Sequence, residues 1–217
     1  MTDVLSDRDE RPGRRAGGTG PKGEAISSAA RRLFLRDGYE RTSVDAIAAE
    51  AGVSKRTIYN RYGDKENLFL SVLKESSVTM LTAFDRIAEA HLADITDVQQ
   101  DLTEFARDVA FSVIRSPERS ELIRLMMSEA PYFPAILREQ MRPQTMTGII
   151  ARALARLGDA GLLRIADPTE AADHLSALTF GQINNKTWFG AIPVSDADVD
   201  RMVTAGVAAF VRAYRPA

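Results

Sequence analysis

A group of polar side chains within residues 54 to 60 has the chemistry needed to read the edges of DNA bases. The group consists of Ser54, Lys55, Arg56, Thr57, Tyr59 and Asn60. Lysine and arginine can donate to guanine, asparagine can pair with adenine through two hydrogen bonds, and a threonine methyl group can contact thymine. These residues form a candidate base-reading surface if one helix presents them together.

Two apolar residues indicate how such a helix would be oriented. Ile58 and Tyr62 lie four residues apart, so both occupy one side of a helix that begins after Ser54. The polar group then faces solvent. The N-terminal end of such a helix can enter the major groove, where its free backbone N–H groups also bind phosphate.

The residues before Ser54 predict a second short helix and a tight turn. Thr42 or Ser43 can cap this helix, and Thr42 with Asp45 fits the spacing of a capping box. Its narrow apolar face consists of Val44, Ile47, Ala48 and Ala51. Gly52 ends it, because glycine adopts a left-handed conformation at little cost. The pair is typical of a helix-turn-helix, although an ordinary helical hairpin with a basic solvated face has the same bare pattern.

A further helix over residues 21–37 should pack across this pair. It begins with Pro21 in its first turn, carries apolar residues at helical spacing from Ile26 to Phe34, and ends at Gly38. Residues 21–64 are thus predicted to be a three-helix DNA-binding domain. Residues 1–20 have almost no apolar side chains and are predicted to be a disordered arm. Its arginines, Arg11, Arg14 and Arg15, either reach into a minor groove or remain solvated.

Charge and composition favour a nucleic-acid partner for only one part of the chain. The net charge is −2, but residues 11–65 hold 12 Lys and Arg against 6 Asp and Glu, whereas residues 66–217 hold 15 against 20. The absence of cysteine excludes disulfides and cysteine-ligated metals. No export signal is recognised, and no apolar run approaches the roughly 18 residues of a membrane span. We therefore expect a cytoplasmic protein without a membrane partner.

The remainder, residues 65–217, keeps a helical period and is predicted to be a second, larger helical domain. The expected helices cover about 65–91, 97–115, a segment opened by Ser116 and Pro117, a long helix ending near Leu157, 168–189 and 196–214. Residues 131–134, with two prolines, mark a break between them. The predicted fold class is accordingly all-α.

The N-terminal pattern resembles the DNA-binding region of the TetR family of bacterial transcriptional regulators. The matching residues are Gly38-Tyr39, Thr42-Ser43-Val44, Ile47-Ala48, Ala51-Gly52-Val53-Ser54-Lys55, Thr57-Ile58-Tyr59, Tyr62, Lys65-Glu66 and Leu68-Phe69. Tyr62 departs from the phenylalanine usual in the family, and Gly63-Asp64 replaces its usual proline-serine pair. The resemblance implies that the 54–60 group contacts DNA, with Thr42, Ser43 and Lys65 on the phosphate backbone.

A looser resemblance covers the second domain. Glu129-Ala-Pro-Tyr-Phe-Pro, Gly158-Asp-Ala-Gly161-Leu and Asp167-Pro-Thr-Glu-Ala-Ala172 are similar to the AefR-like C-terminal domain of many TetR regulators. This implies a ligand-binding body and a homodimer formed through the last two helices. Two recognition helices about 34 to 36 Å apart would then meet successive major grooves of a palindromic operator.

The aromatic and methionine side chains of the second domain include candidates for an apolar effector pocket. The candidates are Phe84, Phe105, Phe111, Met126, Met127, Phe133, Phe180 and Trp188. The alternative for each is ordinary core, since aromatic residues at helical spacing most often pack there. His91 and His174 suggest no metal site, and no cofactor is expected. The polar cluster Asn184, Asn185 and Lys186 fits either a ligand site or a dimer seam.

The sequence thus predicts a TetR-type regulator, a repressor released from its operator by a small molecule, and not an enzyme. A constitutive DNA-binding regulator without an effector is the first alternative. The second is a helical enzyme or lipid carrier with an incidental helix-turn-helix. It is disfavoured because no catalytic triad, metal motif or phosphate loop is present and only two histidines are available.

Overall fold

The structure, a computed structural model, describes residues 20–133 and 145–216. Every regular element within these ranges is helical and none is a β-strand, which confirms the all-α prediction. Residues 1–19 of the predicted arm, with its three arginines, lie outside the described residues. The same holds for residues 134–144, the first part of the helix predicted to end near Leu157.

Three N-terminal helices form a compact unit: α1 (Pro21–Arg41), α2 (Val44–Ala51) and α3 (Lys55–Tyr62). Gly38 interrupts α1 with a φ of 80° and a ψ of 173°, outside the helical region. The regular part of α1 therefore ends where the glycine predicted, and one further helical turn follows.

The junctions around α2 follow from three local signals. Ser43 caps α2 by accepting a 3.0 Å hydrogen bond from a first-turn backbone N–H, so the cap is Ser43 and not Thr42. Gly52 has the left-handed φ of 65° that ends the helix. Ser54 then caps α3 in the same manner, at 3.1 Å. The turn between the two helices is therefore as short as predicted.

The larger unit contains seven further α-helices within the described ranges. They are α4 (Lys65–Leu92), α5 (Val98–Val109), α6 (Pro117–Glu129), α7 (Met146–Asp159), α8 (Pro168–Ser176), α9 (Gln182–Thr187) and α10 (Asp196–Tyr214). Two π-helical turns, Ala110–Ile114 and Ala177–Gly181, continue α5 and join α8 to α9. None of the helices in residues 20–133 and 145–216 combines the length and apolar character required to cross a bilayer.

Two apolar cores divide the buried side chains between them. The head core is formed by α1, α2, α3, the first two turns of α4, and the apolar face of α6 with Phe133. The body core is formed by the second half of α4 with α5, α7, α8, α9, α10 and the two π-helical turns. Helix α4 crosses from one core to the other, so it joins the two units mechanically.

Helix α10 approaches the second π-helical turn unusually closely. A Cβ on Gly206 would lie 2.1 Å from the carbonyl oxygen of Leu178, inside the sum of the atomic radii. Only glycine permits this contact without movement of the backbone. The packing of α10 against the second π-helical turn therefore depends on one missing side chain.

Candidate DNA-binding surface and ligand cavity

Helix α3 presents the predicted base-reading group on one side. Ile58 and Tyr62 are buried in the head core, as their spacing predicted. The opposite side exposes Lys55, Arg56 and Asn60. Tyr59 leaves 41% of its surface accessible, an uncommon exposure for an aromatic side chain on a short helix. The fold thus assembles the predicted group, and its contacts with DNA stay a prediction.

Lys55 is held at the N-terminal end of α3 by a carboxylate on α2. Its Nζ donates to Oδ2 of Asp45 at 2.9 Å, and both side chains are exposed. This hydrogen bond, together with the charge of Asp45, raises the pKa of Lys55 above its ordinary value. Such an exposed pair adds little to stability, but it fixes a cation where the major groove would be met.

Thr42 does not have the role predicted for it. The side chain is buried, and its hydroxyl donates to the carbonyl oxygen of Gly38 at 2.7 Å and lies 3.2 Å from that of Leu33. These two carbonyls lie near the end of α1, where helical partners are missing. The Thr42 hydroxyl therefore satisfies carbonyl groups near the end of α1 and is too buried to contact a phosphate.

Lys65 links the end of α1 to the start of α4. Its ammonium lies 4.2 Å from the ring centroid of Tyr39 and donates to the carbonyl oxygen of Glu40 at 3.3 Å. A lysine has three donors, so this contact leaves others for a phosphate. Ser43 is exposed as well, although its hydroxyl oxygen already serves as the α2 cap.

The stretch at residues 129–133 connects α6 to the head. Oε1 of Glu129 accepts a 3.3 Å hydrogen bond from the backbone N–H of Tyr39. Phe133 packs against the rings of Tyr39 and Phe69, with centroid distances of 4.7 and 5.4 Å. Phe133, predicted as a pocket residue, is therefore a buried part of the head core.

The other candidate pocket residues do not meet in one cavity either. Phe84, Phe105 and Phe180 contact each other edge-to-face, with centroids 5.7 to 6.5 Å apart, and are buried in the body core. Met126 is buried in the head core. The remaining three, Phe111, Met127 and Trp188, are 39%, 56% and 71% exposed. Five of the eight candidates are thus buried in the two cores, and three are exposed.

A cavity of about 390 Å³ instead lies at the junction of the two units. Its walls come from four segments: α1, the middle of α4, the π-helical turn after α5, and the start of α6. The apolar lining includes Leu35, Met80, Val113 and Leu122. The volume is in the range of ligand-binding sites in proteins. None of the eight predicted pocket residues lines it.

Arg119 of α6 is the distinctive polar residue of this cavity. Its Nη1 donates to the carbonyl oxygen of Ile114 at 3.3 Å and to Oδ1 of Asn184 at 3.4 Å. Its Nε is buried and has no acceptor among the described residues. Burial lowers the pKa of Arg119 to about 10, so the guanidinium stays charged at neutral pH. The cavity thus contains a cation bonded only to neutral groups.

The sequence pattern around Arg119 does mark this residue as unusual. Leu122 and Met126 follow it by three and seven residues, so a charge occupies the apolar face of an amphipathic helix. Asn184, from the polar cluster left open by the sequence, faces this arginine. A charge on a buried face is an exception that calls for a partner.

The two histidines both have protein partners. Nε2 of His91 lies 2.7 Å from Oδ2 of Asp108, and Nδ1 of His174 lies 2.6 Å from the hydroxyl of Tyr214. Across the described ranges, no three residues among His, Cys, Asp and Glu are grouped so that they could hold a metal ion. Both imidazole rings therefore have a hydrogen-bond partner within the protein.

The fold and the exposed face of α3 define a helix-turn-helix DNA-binding regulator with a helical second domain. Residues 26–72 match the sequence profile described as bacterial regulatory proteins, tetR family. Residues 100–216 match that of the AefR-like transcriptional repressor, C-terminal domain. The chain belongs to the TetR family of transcriptional regulators, whose members are not enzymes.

Individual relatives agree with this assignment over nearly the whole chain. A TetR-family regulator from Mesorhizobium loti is 29% identical, with a TM-score of 0.82 over 90% of this chain and 97% of its own. The flavonoid-responsive regulator FrrA is 27% identical, with a TM-score of 0.72 over 91% and 99%. The DNA-binding transcriptional repressor TetR of Mycobacteroides abscessus is 25% identical over 82% and 88%.

Proposed function

We propose that this protein is a cytoplasmic homodimeric repressor that binds a palindromic operator and is released by a small molecule. The observation that carries the proposal is the face of α3, where Lys55, Arg56, Tyr59 and Asn60 project away from the two buried anchors. We assign operator binding to residues 21–64, and effector binding and dimerisation to residues 65–217. Ser43, Ser54, Thr57 and Lys65 would add phosphate contacts.

The junction cavity favours a ligand-responsive regulator over a constitutive one. An opening of about 390 Å³ between the two units gives a small molecule a place to bind. FrrA, the relative at 27% identity, is a flavonoid-responsive regulator, so a fold of this kind can respond to a small organic molecule. Both observations support release by an effector.

Release would follow from the position of the cavity. Its walls include Arg31 and Leu35 of α1 and residues of α4 and α6, so an occupant would contact head and body at once. A ligand shifts a conformational equilibrium only by its difference in affinity for the two states. An occupant that fits one orientation of α1 relative to α4 better would change the spacing of the two α3 helices in a dimer.

The proposed dimer would pair the last two helical segments with those of a second copy. The outward face of α10, between Arg201 and Arg212, carries the small residues Ala205 and Ala208, which allow close approach of another helix. Ala205→Glu should therefore convert a dimer into monomers in sedimentation velocity. An unchanged mass would exclude this face as the interface.

Operator affinity tests the proposed function directly. We expect Tyr59→Ala and Asn60→Ala to weaken binding to DNA flanking the protein's own gene by about 5- to 150-fold each, because each removes a base contact. Lys74→Ala, an exposed cation on α4, is the matched control and should bind within twofold of wild type. Fluorescence anisotropy would measure all three. Wild-type affinity in both α3 variants would overturn the assignment.

A further inference from the structure

The junction cavity contains a cation that lacks a charged partner. Three other arginines that reach across the fold are paired with carboxylates: Arg107 with Asp200, Arg115 with Asp196 at 2.6 Å, and Arg152 with Asp85 at 3.2 Å. Two more, Arg124 and Arg156, donate to backbone carbonyls. Arg119 has no carboxylate within 4.0 Å among the described residues, although its side chain is partly buried and its Nε is fully buried. Its charge is therefore uncompensated by the part of the chain that the structure describes.

Burying such a charge is costly unless it is paired and hydrogen-bonded. The two acceptors of Arg119 are neutral and lie at long distances of 3.3 and 3.4 Å, and Nε has none. A guanidinium offers five N–H donors in a planar fork that matches a carboxylate, sulfonate or ionised phenol. The donors left over are suited to an anionic group on a bound molecule.

The other charged side chains at the cavity do not cancel its preference for an anionic group. Glu118 also lines it, but its carboxylate accepts a 2.9 Å hydrogen bond from Ser116 and lies near Arg31. Two cations thus face one anion, which leaves an excess of positive charge. The lining also includes the apolar side chains of Met80, Val113 and Leu122.

We propose that the effector is an amphipathic organic anion whose charged group is bound by Arg119 and whose apolar part lies against α4 and the π-helical turn. This inference rests on the proposed ligand-responsive function and assigns its ligand class. Arg31 and Leu35 place the same molecule against α1, so the anion would connect the head and body directly. Arg119 is the residue that would select for charge.

Two fluorescent probes with the same ring system test the inference on the full chain. Anilinonaphthalene-8-sulfonate carries a permanent anion, and N-phenyl-1-naphthylamine is the same molecule without the sulfonate. We expect wild type to bind the anionic probe at least tenfold more tightly. Arg119→Gln should lower that affinity by about tenfold or more and change the affinity for the neutral probe less than twofold, because only the anion uses the guanidinium.

Matched variants separate charge recognition from a general change in the cavity. Arg86→Gln makes the same charge change on the exposed surface of α4 and should affect neither probe. Arg119→Lys should retain part of the selectivity for the anion. Ala83→Phe places a ring in the cavity wall and should weaken both probes alike. Equal losses of both probes in Arg119→Gln, or no loss of either, would overturn the proposal.

Thermal stability gives a second readout that a purely structural arginine would not produce. Because the buried charge is unpaired, Arg119→Met should leave the melting temperature equal to or above that of wild type. A clear decrease would show that Arg119 supports the fold and contradict the proposal. These titrations contain no DNA, so failure of operator binding and failure of anion binding are observed separately.

Discussion

The head core and the body core bury their side chains in similar ways but leave very different surfaces. In the head, short α3 is held by only two deeply buried residues, Ile58 and Tyr62, and the rest of the helix remains available to a partner. In the body, α10 buries six positions along its length and packs backbone against backbone at Gly206. The head unit therefore leaves the polar side chains of α3 exposed, whereas the body unit buries one whole face of α10.

This difference indicates where a small molecule could bind. The centre of the body core is filled by Phe84, Phe105 and Phe180, which leaves no room for a ligand between these rings. One cavity lies at the junction of the two units, where α1 and α6 meet α4. Four tests in the two units, ordered from the largest expected effect to the smallest, examine this contrast.

The first substitution asks whether the aromatic group of the body is filled core. Phe105→Ala should lower the free energy of unfolding by about 3 to 5 kcal/mol, since the buried ring contacts two others and its removal leaves a cavity. Urea denaturation would measure the loss. Phe111→Ala, which truncates an exposed ring nearby, should cost less than about 1 kcal/mol. Similar costs for both would mean that Phe105 lines open space.

The second substitution tests the close helix contact in the body. Gly206→Ala should cost about 1 to 3 kcal/mol, because the new Cβ meets the carbonyl of Leu178. Gly181→Ala is the control, since a Cβ there lies 3.5 Å from its nearest neighbour. It should stabilise the helix by about 0.5 to 1 kcal/mol. Opposite changes in melting temperature are expected, and a stabilising Gly206→Ala would contradict the contact.

The third substitution removes the helix cap in the head. Ser54→Ala should cost about 1 kcal/mol, because the N–H of Thr57 loses the Oγ acceptor at 3.1 Å. Ser54→Asp supplies another acceptor and should keep wild-type stability. Amide hydrogen exchange would locate the loss, with α3 exchanging faster than α10. Uniform acceleration in both helices would show that the two cores unfold together.

The smallest pair of substitutions removes one hydroxyl from each core. The Tyr62 hydroxyl is buried in the head beside Arg61 and makes no hydrogen bond of good geometry with the described residues, so Tyr62→Phe should stabilise by up to about 1 kcal/mol. In the body, the Tyr214 hydroxyl bonds Nδ1 of His174 at 2.6 Å, so Tyr214→Phe should destabilise by a similar amount. Calorimetry should show opposite signs. A stability change of the same sign in both variants would contradict this difference between the two hydroxyl groups.

Local signals made most of the fold predictable. Gly52 and Ser54 fixed the turn because a left-handed glycine and a capping serine act within their own few residues. Thr42 shows the limit of this reasoning. Its hydroxyl could equally cap α2 or close α1, and the choice depends on how α1 packs over it, which no nearby residue specifies.

The cavity was harder to predict because no single segment forms it. Its walls come from residues as far apart as Arg31 and Leu122, and aromatic content pointed to the packed interior instead. The π-helical turn at Ala110–Ile114, which contributes to one wall, has no counterpart in the helical spacing of the apolar residues. Arg119 was the one detectable signal, since a charge stood among apolar positions of α6.

The contribution of α6 to the head core has a consequence for synthesis of the chain. Leu122, Leu125 and Met126, with Phe133, complete the packing around α1 and α4. Domains generally fold in order as they leave the ribosome. Here the DNA-reading helices emerge first but acquire their full core only after residue 133 has emerged. A nascent chain stopped before α6 would therefore present the exposed face of α3 on an incomplete core, and we expect the head to become stable only after α6 has been made.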